Sequence, residues 1–257
     1  MKIALAVVLL FLGCSRGLAL AQPVEVIKAW TYYAAPPFMT DDKTGAGLDK
    51  DVVAYLNQKL AGKYEIRLMF LPRARLGSML DQGDQGMVLF APSVIFGGPV
   101  EGKYHWTSAL FNDRQDLVSR VSAPFEYDGP ASLHNVRFGA MLGHVYPALA
   151  QDMDRTKIRA HRNNNEGALL RMLLMDRLEV ITLADSSVRY LVKKDTRIAG
   201  KIYVSKQNLG NFTRHLMFQQ GMDRERNDIE EVVLKMDGDP AWRAILKTYG
   251  LEVPRKH

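Results

Sequence analysis

The chain has 257 residues, 47% of them hydrophobic and 24% charged, enough to bury a core in one large domain or two modest ones. Its formal net charge of +6 is spread among acids in stretches such as MDRERNDIEE, which describes an ordinary mixed surface and argues against a nucleic-acid footprint. Cys14 is the single cysteine, which excludes a disulfide framework.

Lys2 is followed by IALAVVLLFLG, an apolar run too short and too early for a membrane span. Ala19-Leu20-Ala21 then offers the small residues that a signal peptidase accepts, so residues 1–21 are expected to be a signal peptide cleaved before Gln22. Cys14, preceded by Phe11-Leu12-Gly13, leaves a lipoprotein anchor open, although Phe11 stands where leucine is usual. Loss of residues 1–21 removes Lys2 and Arg16 and no acid, leaving a charge of +4 and no cysteine. A periplasmic or secreted product is expected, needing no disulfide chemistry in an oxidising compartment.

Residues 24–33, rich in β-branched and aromatic side chains, predict a strand that breaks at Pro36-Pro37. A polar, Gly-containing turn leads into a helix over 50–61, ended by Gly62, with Asp49 and Asp51 expected to serve capping and the turn. YEIRLMFL at 64–71 alternates as a second strand, and Pro72 opens a helix that Gly83 closes. GMVLFA at 86–91 is continuously apolar, as a strand buried on both faces would be. Such a β-α-β-α-β order implies right-handed crossovers and a parallel sheet. After the loop at Gly97-Gly98-Pro99 come YHWTSALF and an alternating strand over 114–121, and residues 122–135 read as a boundary. The pattern then restarts with strands at 136–142, 157–162 and 179–184. Helices are expected after Gly143, over 165–177, and from Ser186 with Asp185 as its cap. Strands at 201–205 and 214–218, separated by residues 208–213, precede closing helices over 228–237 and from Pro240. The chain thus holds two similar α/β patterns, and two lobes sharing a crevice are the economical arrangement.

Five local patterns in this order resemble the family 3 extracellular solute-binding proteins, receptors related to polar amino-acid ABC importers. They are an aromatic before Pro36-Pro37-Phe38 with Gly45, Gly47, Asp49 and Asp51; Leu80-Asp81-Gln82-Gly83; the Trp106–Phe111 run; the Gly139–Gly143 turn; and Leu173-Leu174 with Arg177 and Glu179, then Asp185-Ser186. The resemblance implies a type II periplasmic binding fold, α/β, with two lobes each holding a mixed, mainly parallel sheet flanked by helices and joined by a two-segment hinge. It implies lobe 1 over 22–118 plus 210–257 and lobe 2 over 119–209. It also implies a monomer that captures a small polar metabolite, amino-acid-like or otherwise anionic, and delivers it to a membrane ABC permease.

The chain departs from that family where the ligand is held. The arginine expected after the third strand is missing from Ala91–Gly98, the aspartate of the Gly-x-x-Asp position is Gly86, and Glu179 stands at the Arg-x-Asp position. These departures argue against standard α-amino-acid binding, in which an arginine clamps the carboxylate. Arg75, near a helix start, is expected to bind an anionic group instead, ahead of Arg73. Tyr33, Phe38 and Trp106 are candidates to enclose a flat or apolar part of the ligand, and Ser93 is a candidate contact in the loop after the third strand. His144 follows a turn expected to present a helix N-terminus, and Asp185 matches the family's ammonium-binding aspartate. No nucleophilic triad, catalytic cysteine or metal-ligand spacing is visible, so no enzyme, cofactor or metal is expected. A dehydratase on the same fold, using Glu179, and a ligand receptor for a membrane sensor are the alternatives.

Overall fold

The computed structural model describes residues 23–98 and 102–252; the signal-peptide and Cys14 readings lie outside them. In the first half of the molecule, Glu25–Thr31 (β1) lies parallel to both Tyr64–Phe70 (β2) and Met87–Pro92 (β3). Leu48–Lys59 (α1) and Arg73–Asp81 (α2) are the crossovers. Every residue of β3 is buried, as its unbroken apolar run requires of a strand covered on both faces. Trp30, Leu48, Val52, Leu56 and Met87 join one core with Ile229, Val233, Met236, Trp242 and Leu246. The last five come from Asp223–Met236 (α7) and Pro240–Thr248 (α8) at helical spacing.

Between these comes the second half. Phe111–Arg120 (β5) begins antiparallel to Asn211–Phe218 (β10), pairing Phe111 with Arg214 and Arg114 with Asn211. From Gln115 onward β5 pairs with Val180–Ala184 (β8) instead, and near its end also with Ile202–Val204 (β9). Phe138–Met141 (β6) then lies parallel to β8 and to Ala160–Asn163 (β7). Alternate residues serve the two faces of this sheet. Leu117 and Val180 pack with Phe138, Leu149 and Ile158, while Val118 and Ile181 pack with Leu169 and Leu173 of Glu166–Leu174 (α4). Gly139 lets α4 and the turn after it approach, since a Cβ there would stand 3.1 Å from Leu169 of α4 and 2.6 Å from Leu178.

The chain crosses between the halves twice, side by side. Gln115 donates its N–H to Gly210 O at 3.0 Å, and Leu209 donates to Gln115 O at 2.8 Å. The outcome is a mixed α/β architecture: the parallel runs are those the element order predicts, and the antiparallel pairings of β5 and β10 are added to them. Small elements differ from expectation. His105–Trp106 (β4) pairs with β10, which starts at Asn211 and not 214, and Thr196–Ala199 (α6) is an additional short turn of helix. The helix expected directly after Gly143 is a 3-10 turn at Pro147–Leu149 leading into the five-residue Ala150–Asp154 (α3). Residues 122–135, read as a boundary, contribute Tyr127 and Leu133 to the core around β6.

Candidate functional site

The two halves enclose a cavity of about 210 Å³. Thr31 ends β1, and the following turn through the cis Pro36–Pro37 bond brings Tyr32, Tyr33 and Phe38 to its first wall. Tyr33 and Phe38 stack at 4.4 Å between centroids. The second wall is Gly143–Pro147, with Glu166 at the start of α4. Around the rim the halves touch. Ser187, on Asp185–Lys194 (α5), donates its hydroxyl to Pro36 O at 2.8 Å, and Tyr32 meets His144 edge-on at 6.5 Å.

Arg214 sits at the base and is 3% exposed. Its position follows from a bulge: His215 faces Ala91 and Met217 faces Val88, so Leu89 and Phe90 share one partner position. Phe90 takes φ 53 there, and its carbonyl, freed from the ladder, accepts from Arg214 Nη1 at 3.2 Å. Nη1 also reaches the Tyr33 hydroxyl, while Nη2 lies 2.7 Å and Nε 2.9 Å from Asp113 Oδ2. The guanidinium lies 4.8–4.9 Å from the ring centroids of Tyr33, Phe38 and Phe212. Burial works against this cation, but Tyr33 and Asp113 outweigh it and hold its pKa above the ordinary value. Burial, only partly offset by Arg214, raises the Tyr33 hydroxyl well above its usual range.

Asp113 does a second job. Its Oδ1 accepts from Ser186 N at 3.1 Å and its Oδ2 from the Ser186 hydroxyl at 2.8 Å. The start of α5 is thus capped from β5, and not by Asp185 as the sequence suggests. Asp185 instead holds Arg189 at 2.6 Å and Arg114 at 3.3 Å. Arg114 also forms an ion pair with Asp116 at 2.8 Å, yet burial still pushes the Asp116 carboxyl up to about 6.

Glu166 is the acid that lines the cavity. Its Oε2 is shut from solvent without a hydrogen-bond partner. Burial pushes its carboxyl up to about 7 against the Ser187 hydroxyl and the Arg214 charge. His144 is pushed down to about 4, first by burial and then by Arg214, Arg73 and Arg162, so it is neutral near neutral pH.

Of the residues singled out from sequence, the structure brings Tyr33, Phe38 and His144 together on the cavity. Arg75 does not join them. It is exposed, about 200° around α2 from Arg73, and Arg73 faces the cavity in its place. Ser93 starts a 3-10 turn whose Val94 and Ile95, but not Ser93, line the cavity. Trp106 packs edge-on against His215 at 5.8 Å in a separate groove with Glu230. Asp185 is engaged with its two arginines away from the lining. Glu179, the acid of the enzyme alternative, accepts from Arg137 N at 2.8 Å and is also outside the cavity. Asp49 does not cap α1 with its side chain; it is 2% exposed, and burial pushes it up to about 8. The backbone anion site expected beside His144 is missing because no full helix starts there.

Sequence reasoning missed Arg214, Asp113 and Glu166. The one available signal was Arg214 within the strand FTRHLMF, next to its apolar end, since a charge in a buried strand demands a partner. Among the described residues, no helix is long and apolar enough to cross a membrane. No group of three or more His, Cys, Asp or Glu there could hold a metal ion.

No family model and no curated protein matches the sequence. Solved structures do match. An ancestral arginine-binding protein bound to arginine shares 14% identity over 87% of this chain and 97% of its own, with a TM-score of 0.69. The GluR0 ligand-binding core from Nostoc punctiforme in complex with L-glutamate shares 11% over 87% and 98%, at 0.70. The ancestral amino acid-binding protein AncCDT-1, a precursor of cyclohexadienyl dehydratase, shares 15% over 88% and 95%, at 0.65. At these identities the likeness is one of fold, and the chain has the type II periplasmic binding fold of the family 3 solute-binding proteins.

Proposed function

We propose that this is a periplasmic solute-binding protein that holds a small metabolite between two lobes and hands it to a membrane ABC permease. Ligand closes the two lobes about the paired crossings at Gln115 and Leu209–Gly210. The observation that carries the reading is the cavity of about 210 Å³ with walls from both halves. Its volume lies below the roughly 300–1,000 Å³ of drug-sized sites, which suits a small solute. The fold neighbours, among them arginine- and glutamate-bound proteins, support the same reading. The chain acts by binding and closure without turnover, as a monomer.

A thermal-shift screen of polar and aromatic metabolites, followed by titration calorimetry and small-angle scattering, tests this. A ligand at a hundred times its Kd stabilises by roughly 2.7 kcal/mol, and the same ligand should shrink the radius of gyration. Failure of every small molecule to bind or compact the protein would sink the proposal.

A further inference from the structure

We infer that the cavity takes a monocarboxylate with a flat aromatic body and no ammonium group beside the carboxylate. This rests on the solute-binding reading above and narrows it to a class of ligand.

Among the described residues, two arginines line the cavity, and one of them is open to a ligand. Arg214 uses Nε and Nη2 on Asp113 and Nη1 on Tyr33 and Phe90 O, so a ligand carboxylate finds no unused edge of that fork. Arg73 has no carboxylate partner among the described residues. Its guanidinium lies over Phe96 at 4.6 Å and Tyr32 at 5.4 Å, facing the cavity. A single carboxylate placed on Arg73 gives it an ion pair at the junction of the halves, where a Cβ added at Gly143 would stand 3.9 Å from the Arg73 stem.

The acids fit an ammonium poorly. Asp185, the family's ammonium ligand, is held by Arg189 and Arg114. Asp113 is held by Arg214 and Ser186. Glu166 remains, and an ammonium would need it ionised in a place that favours its neutral form. Protonated, it offers a hydrogen bond to a ligand hydroxyl or carbonyl and no counter-charge. The groups that face it are Arg214 and Asp113 from the crossing strands, Ser187 from α5 and Tyr146 from the loop before α3. The aromatic part of the lining is Tyr32, Tyr33, Phe38, Phe212 and Tyr146 with a neutral His144, which suits a planar body; Gln115 and Asn211 add neutral polar side chains and no counter-charge for an ammonium.

Calorimetry on the full mature chain with matched pairs decides the matter: 3-phenylpropanoate against L-phenylalanine, and 3-(4-hydroxyphenyl)propanoate against L-tyrosine, each pair differing only in the amino group. Below about pH 6, the acids should bind, and each amino acid about tenfold or more weaker than its partner. Arg73→Gln should weaken the acids by about tenfold or more. Affinity for the acids should fall as pH rises through the Glu166 transition, and Glu166→Gln should remove that fall. Tighter binding of the amino acids, or binding of L-arginine and not of any acid, overturns the inference and leaves solute binding intact. If nothing in the panel binds and no solute compacts the protein, both readings fall.

Discussion

Arg214 joins strand pairing, core and cavity, because one guanidinium binds Asp113, Tyr33 and the bulged carbonyl of Phe90. Its side chain is 3% exposed and that of Asp113 0%, so each charge depends on the other. Truncating one member of such a pair leaves an uncompensated buried ion and costs roughly 3–5 kcal/mol, whereas replacing both by apolar groups is often close to neutral. Arg214→Met should therefore lower the unfolding free energy from urea denaturation by that order, and the double variant Arg214→Met with Asp113→Asn, which keeps an acceptor for Ser186, should recover part of the loss. An additive double variant would show that the pair is not coupled. Arg214→Lys should not rescue, since a point charge cannot span three acceptors. The sequence exposed the arginine but not its partner, because Asp113 lies 101 positions earlier and is brought beside it only by the crossing of β5 and β10. Arg73 and Arg75 show the same limit at short range. Both were visible as helix-start arginines, but the rotation of α2 against the core decides which one looks inward.

Elements were more legible than contacts. The parallel core strands and their crossover helices follow from apolar runs and breakers, and the missing aspartate at Gly86 has a packing cause: a Cβ there would stand 2.7 Å from the buried Trp30 ring. The start of α5 was misread because local sequence offered Asp185 as cap while a distant strand supplied Asp113. The loop before α1 combines both lessons. Gly47 has φ 150, and a Cβ would come within 2.1 Å of Phe38 O, against a backbone that cannot yield like a flexible side chain. Leu48 N and Asp49 N donate to Pro37 O and Phe38 O at 2.9 and 3.2 Å, so this glycine fixes where Phe38 enters the cavity wall. Gly47→Ala should destabilise by about 1–3 kcal/mol and also weaken ligand binding, measured by denaturation and calorimetry. Gly45→Ala, also at positive φ but with open space around it, should cost less and leave binding alone.

At the scale of the whole molecule, the buried Asp49 and half-buried Glu166 pull stability one way with pH, and two half-buried histidines pull it the other. Asp49 and Glu166 have folded pKa values raised to about 8 and about 7. The folded state therefore binds more protons than the unfolded chain, and their stabilisation is lost as pH rises through those values. His144 is lowered to about 4, chiefly by burial, and burial also lowers His215. These two contribute stability that is gained as pH rises to the unfolded histidine value, about 6.5. Below that value the two sets oppose each other; above it the histidines are neutral in both states and the acids act alone. Stability should thus fall between about pH 6.5 and 8, with Asp49 contributing up to roughly 1.4 kcal/mol per pH unit. Urea midpoints across this range should slope downward, and Asp49→Asn should flatten most of the slope, with Glu166→Gln acting mainly at its lower end. A profile that rises over this interval, or one unchanged in Asp49→Asn, would show that the carboxyl under α1 is ionised in the folded protein.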